Sequence, residues 1–94
     1  MTALMVAQIN VKDADKLQQY IAANRDIATP HGAKMLFRGK VARTLNGEAD
    51  HQMLVVVEFP DADAVSAWFD SDAYLPLIDL REAAADMRMI AYQA

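Results

Sequence analysis

The stretch 54–59 (LVVVEF) is apolar on both faces of a strand, and it constrains the fold more than any other part of the chain. Successive side chains of a strand point to opposite faces, so Leu54 and Val56 share one face, and two valines and a phenylalanine share the other. Pro60 follows and ends the strand, because it cannot donate a ladder hydrogen bond. A strand with two apolar faces predicts a central position in a sheet that is covered on both sides.

Four strands and two helical regions are predicted around this stretch. Asp13 and Asp61 precede helical patterns and are suited to accept hydrogen bonds from the free N–H groups of a first turn. The first helix is expected to end before Pro30. In the second helical region, the helix after Asp61 is expected to be followed by another segment that begins at Ser71, and Pro76 is expected to interrupt that segment. Asn46-Gly47 indicates a tight turn. The predicted strands are 3–11, 33–45, 51–59 and 87–92.

This βαββαβ order with one additional short helix predicts a single ferredoxin-like domain over residues 1–94. The fold class is α+β: two crossover helices pack on the same face of a four-stranded antiparallel sheet. The first and third strands are central in this topology. In the second strand, strict alternation places Lys34, Leu36, Arg38 and Lys40 on one face, as expected of a sheet edge.

The apolar face that the helices do not cover predicts a homodimer. A chain of 94 residues has no segment left to form a second layer over the sheet. A second copy, packed face to face in a two-fold assembly, is the simplest source of cover.

Composition excludes several classes of partner. The 13 acidic residues outnumber the 9 basic ones, which argues against nucleic acid, because phosphate binding needs clustered lysine and arginine. Without cysteine there is no disulfide or thiolate chemistry. No apolar run has the length of a membrane span, and Met1–Leu4 does not resemble a signal peptide, so we expect a cytoplasmic protein that does not contact membranes.

Four polar side chains are predicted to converge on a cleft between the helices and the sheet. Glu58 and His31 are the candidate catalytic groups, since both residue types transfer protons. Arg38 and Arg81 are candidates for binding a ligand carboxylate.

Each of these side chains has an alternative explanation. Glu58 would equally serve in a structural ion pair, and a two-residue turn sets Arg38 opposite Val55, whereas a longer loop sets it opposite Glu58. Arg81 lies in an apolar helical stripe, and it would pair with Glu58 or Asp86, bind a ligand, or extend to solvent. His31 in its loop would also fit a solvated turn residue.

Three aromatic residues are candidates for lining the same cleft. Tyr20, Trp68 and Tyr74 lie in predicted helical segments, where aromatic residues are typically part of the core, and their polar ends need partners if buried. No His-x-x-x-His spacing is present, so we expect no metal and no cofactor.

Short motifs along nearly the whole chain match one known family as a set. They are Tyr20, His31-Gly32, Arg38-Gly39, Gly47, Glu58-Phe59-Pro60, Ala67-Trp68, Ser71, Tyr74, Arg81 and Asp86. With them the sequence resembles the domain of unknown function 1330 family of the dimeric α/β-barrel superfamily. It departs at Ala33, where the family tends to a second glycine, and at Pro76, where a helix former is usual. The resemblance implies the fold and the dimer but assigns no activity.

Two hypotheses for function follow. The first is a small-molecule-binding domain for an organic acid or aromatic metabolite, with a monooxygenase-like or isomerase-like enzyme as a variant suggested by the wider superfamily. The second is a structural or regulatory dimerisation module without a substrate.

Overall fold

A four-stranded antiparallel sheet forms one layer of the domain and the helices form the other. The computed structural model describes residues 2–94. The strands are β1 (Ala3–Val11), β2 (Lys34–Lys40), β3 (Met53–Phe59) and β4 (Ala85–Gln93), in the order β2-β3-β1-β4. The predicted ferredoxin-like βαββαβ order, with β1 and β3 central, is confirmed.

The helices begin where the sequence places caps, with one exception. They are α1 (Ala14–Ala28), α2 (Ala62–Phe69) and α3 (Leu77–Ala84), and a short 3₁₀ turn follows α1. The carboxylates of Asp13 and Asp61 accept hydrogen bonds from the first turns of α1 and α2, as predicted. Within residues 2–94, no helix has the length and apolar character needed to cross a bilayer.

The exception is the segment between α2 and α3. Ser71 was expected to begin a helix, but residues 71–76 form turns, and α3 begins only after Pro76. The Ser71 hydroxyl donates instead to the carbonyl of Trp68, at 2.7 Å. Pro76 has φ −62°, which suits the start of a helix, where a missing N–H costs nothing.

The paired part of the β2–β3 hairpin contains fewer residues than predicted. The strand expected over 33–45 ends at Lys40, and residues 41–50 form an exposed arm with Gly47 at φ 80° near its tip. The last backbone hydrogen bond joins Val41 N–H to the carbonyl of Gln52 at 2.8 Å. The register still corresponds to a turn centred on residues 46 and 47, because Arg38 lies opposite Val55.

A β-bulge in β2 overturns the predicted alternation of that strand. The register shifts between Met35 and Phe37, so Leu36 is an extra residue. Lys34 and Phe37 therefore face away from the helices, while Met35 and Arg38 face towards them. The bulge is what brings Arg38 to the helix side of the sheet.

The core lies between the helices and the sheet. β1 contributes small and medium side chains to it at every second position, and Phe59, Trp68 and Tyr74 are its largest fully buried members. The chain approaches itself closely at Gly32, where φ is 84° and a Cβ would lie 2.7 Å from the Pro60 ring. A side chain at Gly32 would be strained on both counts.

The other face of the sheet carries none of the helices found within residues 2–94, and it is apolar at its centre. We call it the open sheet face. Its side chains are half-buried or exposed. Glu58 and Lys34 lie opposite each other at one end of the face, and the polar residues Gln8, Asn10, Asp86 and Arg88 lie at the other end. Its apolar members are Leu4, Val6, Phe37, Leu54, Val56, Ile90 and Tyr92.

Candidate functional site

A cavity of about 430 Å³ lies between α1 and the helix side of the sheet. Its walls are mostly apolar and come from all four strands as well as α1. Four methionines contribute flexible thioether side chains that adapt to irregular shapes. The apolar lining residues are Met5, Ala7, Ile9, Leu17, Ile21, Ala28, Ala33, Met35, Val55, Val57, Met87 and Met89.

The polar groups in this lining can all donate hydrogen bonds. Asn24 and Arg25 come from α1, Thr29 follows its end, and Arg38 comes from β2 across the cavity. Tyr20 lies one turn before Asn24 on the same helix. A mainly apolar space with a few convergent polar groups is the usual form of a small-molecule site.

Asn24 is held in one orientation by Trp68. The indole N–H of Trp68 donates to Asn24 Oδ1 at 2.9 Å, and Trp68 is only 1% exposed. With its oxygen engaged, Asn24 has its two N–H groups left to donate to a ligand. Trp68 thus fixes the orientation of a cavity-lining side chain without lining the cavity itself.

Tyr20 belongs to a line of hydrogen bonds that runs to the surface. Its hydroxyl lies 2.6 Å from that of Tyr74, which accepts from Arg81 Nη1 at 3.0 Å. Arg81 Nη2 donates to Glu82 Oε1, also at 3.0 Å. Arg81 further packs over the ring of Phe69, 5.6 Å from its centroid.

The environment keeps Tyr20 and Arg81 in their ordinary protonation states. Burial, with the adjacent Tyr74 hydroxyl, raises the pKa of Tyr20 well above its usual value. Desolvation acts to lower the pKa of Arg81, but its hydrogen bonds to Tyr74 and Glu82 outweigh this and raise it. Tyr20 is therefore a neutral donor and Arg81 a fixed cation at neutral pH.

The structure brings together some of the predicted site residues and separates others. Arg38 and Tyr20 line the cavity, and Trp68, Tyr74 and Arg81 stand behind it. Whether they bind a ligand stays a prediction.

The expected convergence of all four polar groups on the cleft is wrong, because Arg38 is the one member of the four that lines the cavity. Glu58 lies opposite Leu4 and Lys34, on the open sheet face, because it shares the strand periodicity of Val56 and not that of Val57. His31 ends the 3₁₀ turn after α1, half-buried, and does not contribute to the cavity lining. Neither candidate catalytic group lies in the cleft to which the sequence assigned it.

The carboxylate partner of Arg81 also differs from both candidates. Glu58 is on the other side of the sheet, and Asp86 lies opposite Asn10 in the open-face register. The partner is Glu82, the next residue in the chain, while the Arg81 side chain is only 14% exposed. The head of Arg81 is thus held inside the domain and does not extend freely to solvent.

A second polar cluster, which the sequence did not indicate, joins the end of the arm to β1 and β4 by hydrogen bonds on the open sheet face. The Asn10 side chain binds the backbone of residues 50 and 52. Asp50 accepts from Arg88 at 2.8 Å and lies 2.9 Å from His51 Nδ1. Hydrogen bonds from His51 and then Arg88 lower the pKa of Asp50 to about 2.

In the part of the chain described, no three His, Cys, Asp or Glu side chains form a group suited to a metal.

A family model for a domain of unknown function, DUF1330, matches residues 2–94 of the chain. The chain belongs to the DUF1330 family. The match extends over all of the elements that form the cavity and the open sheet face. The resemblance carried by the motifs of the sequence is thereby confirmed. No curated protein sequence matches this DUF1330 chain.

Solved structures share the fold of this DUF1330 chain at low sequence identity. A protein of unknown function from Rhodopseudomonas palustris has a TM-score of 0.83 at 18% identity, with 99% of this chain and 82% of that one covered. A dimeric ferredoxin-like protein of unknown function from a Jannaschia species has 0.77 at 10% identity, with both chains fully covered. SnoaB, a cofactor-independent oxygenase from Streptomyces nogalater, has 0.71 at 14% identity, with 99% and 92% covered.

Proposed function

We propose that the chain forms a homodimer in which each subunit binds a small aromatic acid in the cavity between α1 and the sheet. The observation that carries the binding part is the arrangement of donors around an apolar space. Arg25 and Arg38 supply two guanidinium groups, and Asn24 and Tyr20 supply neutral donors. Such a lining matches a ligand that combines a flat apolar body with an anionic end.

The dimensions and charges of the cavity favour this class of ligand. Its volume of about 430 Å³ falls within the range of small-molecule sites. Guanidinium groups bind carboxylates through paired, charge-assisted hydrogen bonds. Arg25 comes from α1 and Arg38 from β2, so a guanidinium group is available on the helix wall and on the sheet wall to bind a carboxylate while the apolar body contacts the methionines.

The open sheet face supports the homodimer. Seven apolar side chains cover the sheet there without a second layer from the same chain. A second copy would bury the same patch on both subunits, as a two-fold axis requires. The dimeric state of the Jannaschia protein, which shares the fold, favours the same assembly. A cytoplasmic location stays a prediction.

The binding proposal is tested by calorimetric titration with aromatic carboxylates, for example 4-benzylbenzoate, and with the matching neutral amide. Arg38→Met is expected to weaken carboxylate binding about ten- to a hundredfold, the effect of one charge-assisted hydrogen-bonded contact, and to leave amide binding nearly unchanged. Ala33→Trp fills the cavity with a large side chain and is expected to abolish binding of both compounds.

Arg43→Met is the matched control, because it removes the same charge from the exposed arm, outside the cavity lining. It should bind both compounds like the unmodified protein. If no aromatic carboxylate binds, or if Ala33→Trp binds as well as the unmodified protein, the proposal is wrong.

A structural dimerisation module is a second candidate, and one observation favours it. Tyr20, Tyr74, Arg81 and Glu82 satisfy one another without a ligand. In that case the cavity variants would change stability without any ligand phenotype. An oxygenase like SnoaB is a further candidate by fold analogy alone. Consumption of dioxygen together with a bound compound would support this candidate.

A further inference from the structure

The polar line behind the cavity has a direction that the chemistry of its members fixes. Arg81 has only N–H groups to offer, so the Tyr74 oxygen must be the acceptor in the contact of 3.0 Å between them. The contact between Tyr74 and Tyr20, at 2.6 Å, would allow either hydroxyl to donate. Both tyrosines are buried, Tyr20 at 4% and Tyr74 at 0% exposure, but only Tyr20 belongs to the cavity lining and so has a space beyond Tyr74 in which its proton can find an acceptor.

Tyr74 is 0% exposed, so its own proton needs an acceptor inside the domain. The hydroxyl of Tyr20 is the acceptor that the structure places within reach. If Tyr20 donated instead, the Tyr74 oxygen would receive two hydrogen bonds and its proton would be buried without a partner, which is the costly arrangement. Tyr74 therefore donates to Tyr20.

This order leaves the proton of Tyr20 pointing away from Tyr74. Tyr20 contributes to the cavity lining, so the cavity is where that proton can find an acceptor. A hydroxyl whose oxygen already accepts a hydrogen bond from a polarised neighbour becomes a stronger donor. Burial raises the pKa of Tyr20, which keeps the proton in place over the whole physiological range.

We infer that Tyr20 donates a hydrogen bond to an oxygen of the bound ligand, and that Arg81, acting through Tyr74, is the positioning residue that orients it. This inference rests on the proposed function and narrows the ligand class. The ligand is an aromatic acid that carries a second oxygen acceptor, a carbonyl or an enolate, within reach of Tyr20. The guanidinium groups hold its carboxylate, and Tyr20 recognises the second oxygen.

Two matched probes separate this inference from the binding proposal itself. 4-Benzoylbenzoate and 4-benzylbenzoate share the two rings and the carboxylate, and they differ by a carbonyl in place of a methylene group. The unmodified protein is expected to prefer the carbonyl compound about tenfold, the effect of one net hydrogen bond. Tyr20→Phe is expected to bring this ratio to about one. Tyr92→Phe, the same change on the open sheet face, should keep the preference.

The positioning role of Arg81 is tested on the same ratio. Arg81→Met removes the donor beside the Tyr74 oxygen, so the Tyr74 proton can turn into the vacated space. Tyr20 can then donate to Tyr74 instead of to the ligand, and the preference is expected to fall. Arg81→Lys restores a cationic donor and is expected to recover most of it. A merely structural arginine would lower the affinity for both probes together and leave their ratio unchanged.

Infrared spectra of 4-benzoylbenzoate with a ¹³C-labelled ketone read the hydrogen bond directly, and the first measurement needs only the unmodified protein. In the unmodified protein the carbonyl stretch should lie at lower frequency than in an apolar solvent, and Tyr20→Phe should reverse the shift. Equal binding of both probes with an unshifted carbonyl overturns the role of Tyr20 and leaves the binding proposal intact. Failure of both probes to bind overturns both.

Discussion

Val56→Lys is expected to convert the proposed homodimer into a monomer at micromolar concentration. Val56 lies on the central strand β3, opposite Val6 on one side and Phe37 on the other, at the middle of the open sheet face. A two-fold axis places both copies of the new ammonium group in the same buried layer. An unpaired charge there costs about 4 kcal/mol, which weakens association roughly a thousandfold.

Sedimentation velocity over a range of concentrations measures this effect. Gln18→Lys is the matched control, since it adds the same charge on the exposed side of α1 and should remain dimeric. Circular dichroism at each concentration distinguishes a folded monomer from a chain that unfolds when it dissociates. A dimer that persists in Val56→Lys, or an unmodified protein that sediments as a monomer, would contradict a face-to-face assembly through the sheet.

Trp68→Ala is expected to reduce the free energy of unfolding by about 3–5 kcal/mol, the range measured for deleting a buried indole. Trp68 packs against Phe59, Phe69 and Tyr74, with ring centroids between 5.1 and 5.7 Å apart. Its removal also leaves Asn24 without the donor that orients it. In a small domain such a loss is a large part of the total stability.

Urea denaturation at one fixed protein concentration checks this value, because the stability of a dimer depends on concentration. Trp68→Phe keeps one aromatic ring and loses the hydrogen bond to Asn24, so it is expected to lie between the unmodified protein and Trp68→Ala. A loss below about 1 kcal/mol in Trp68→Ala would show that the core does not depend on this residue as the packing indicates.

The sequence predicted the parts of the fold that depend on local chemistry. Asp13 and Asp61 cap helices because a carboxylate directly before a helix accepts hydrogen bonds from the free N–H groups of its first turn. The two-sided apolar character of β3 placed that strand at the centre of the sheet. These inferences depend only on a few residues that are neighbours in the sequence, so they can be made without knowledge of the tertiary structure.

Features that depend on distant contacts were not predictable in the same way. The bulge at Leu36 has no glycine to mark it, and it decides which face Arg38 occupies. The contacts of Asp50 with Asn10 and Arg88 join residues that are about forty positions apart. Local patterns carry no information on such pairings.

The errors on Glu58 and Asn24 at the site have different causes. The face of Glu58 was available from alternation, which groups it with Val56, but the sequence did not show which face the helices cover. Asn24 was missed although it lies in the apolar stripe of α1 with Leu17 and Ile21. A lone amide in such a stripe is a signal for a buried hydrogen-bonding role, and here Trp68 is the partner.

The labelled methyl groups of methionine provide the most direct test of the proposed binding cavity. Met5, Met35, Met87 and Met89 line it, whereas Met53 lies on the same side of the sheet outside the lining. In ¹³C-methyl spectra titrated with 4-benzylbenzoate, the four cavity signals are expected to shift together and to saturate with one ligand per subunit, while Met53 stays in place. Unchanged cavity signals at saturating ligand would contradict the account.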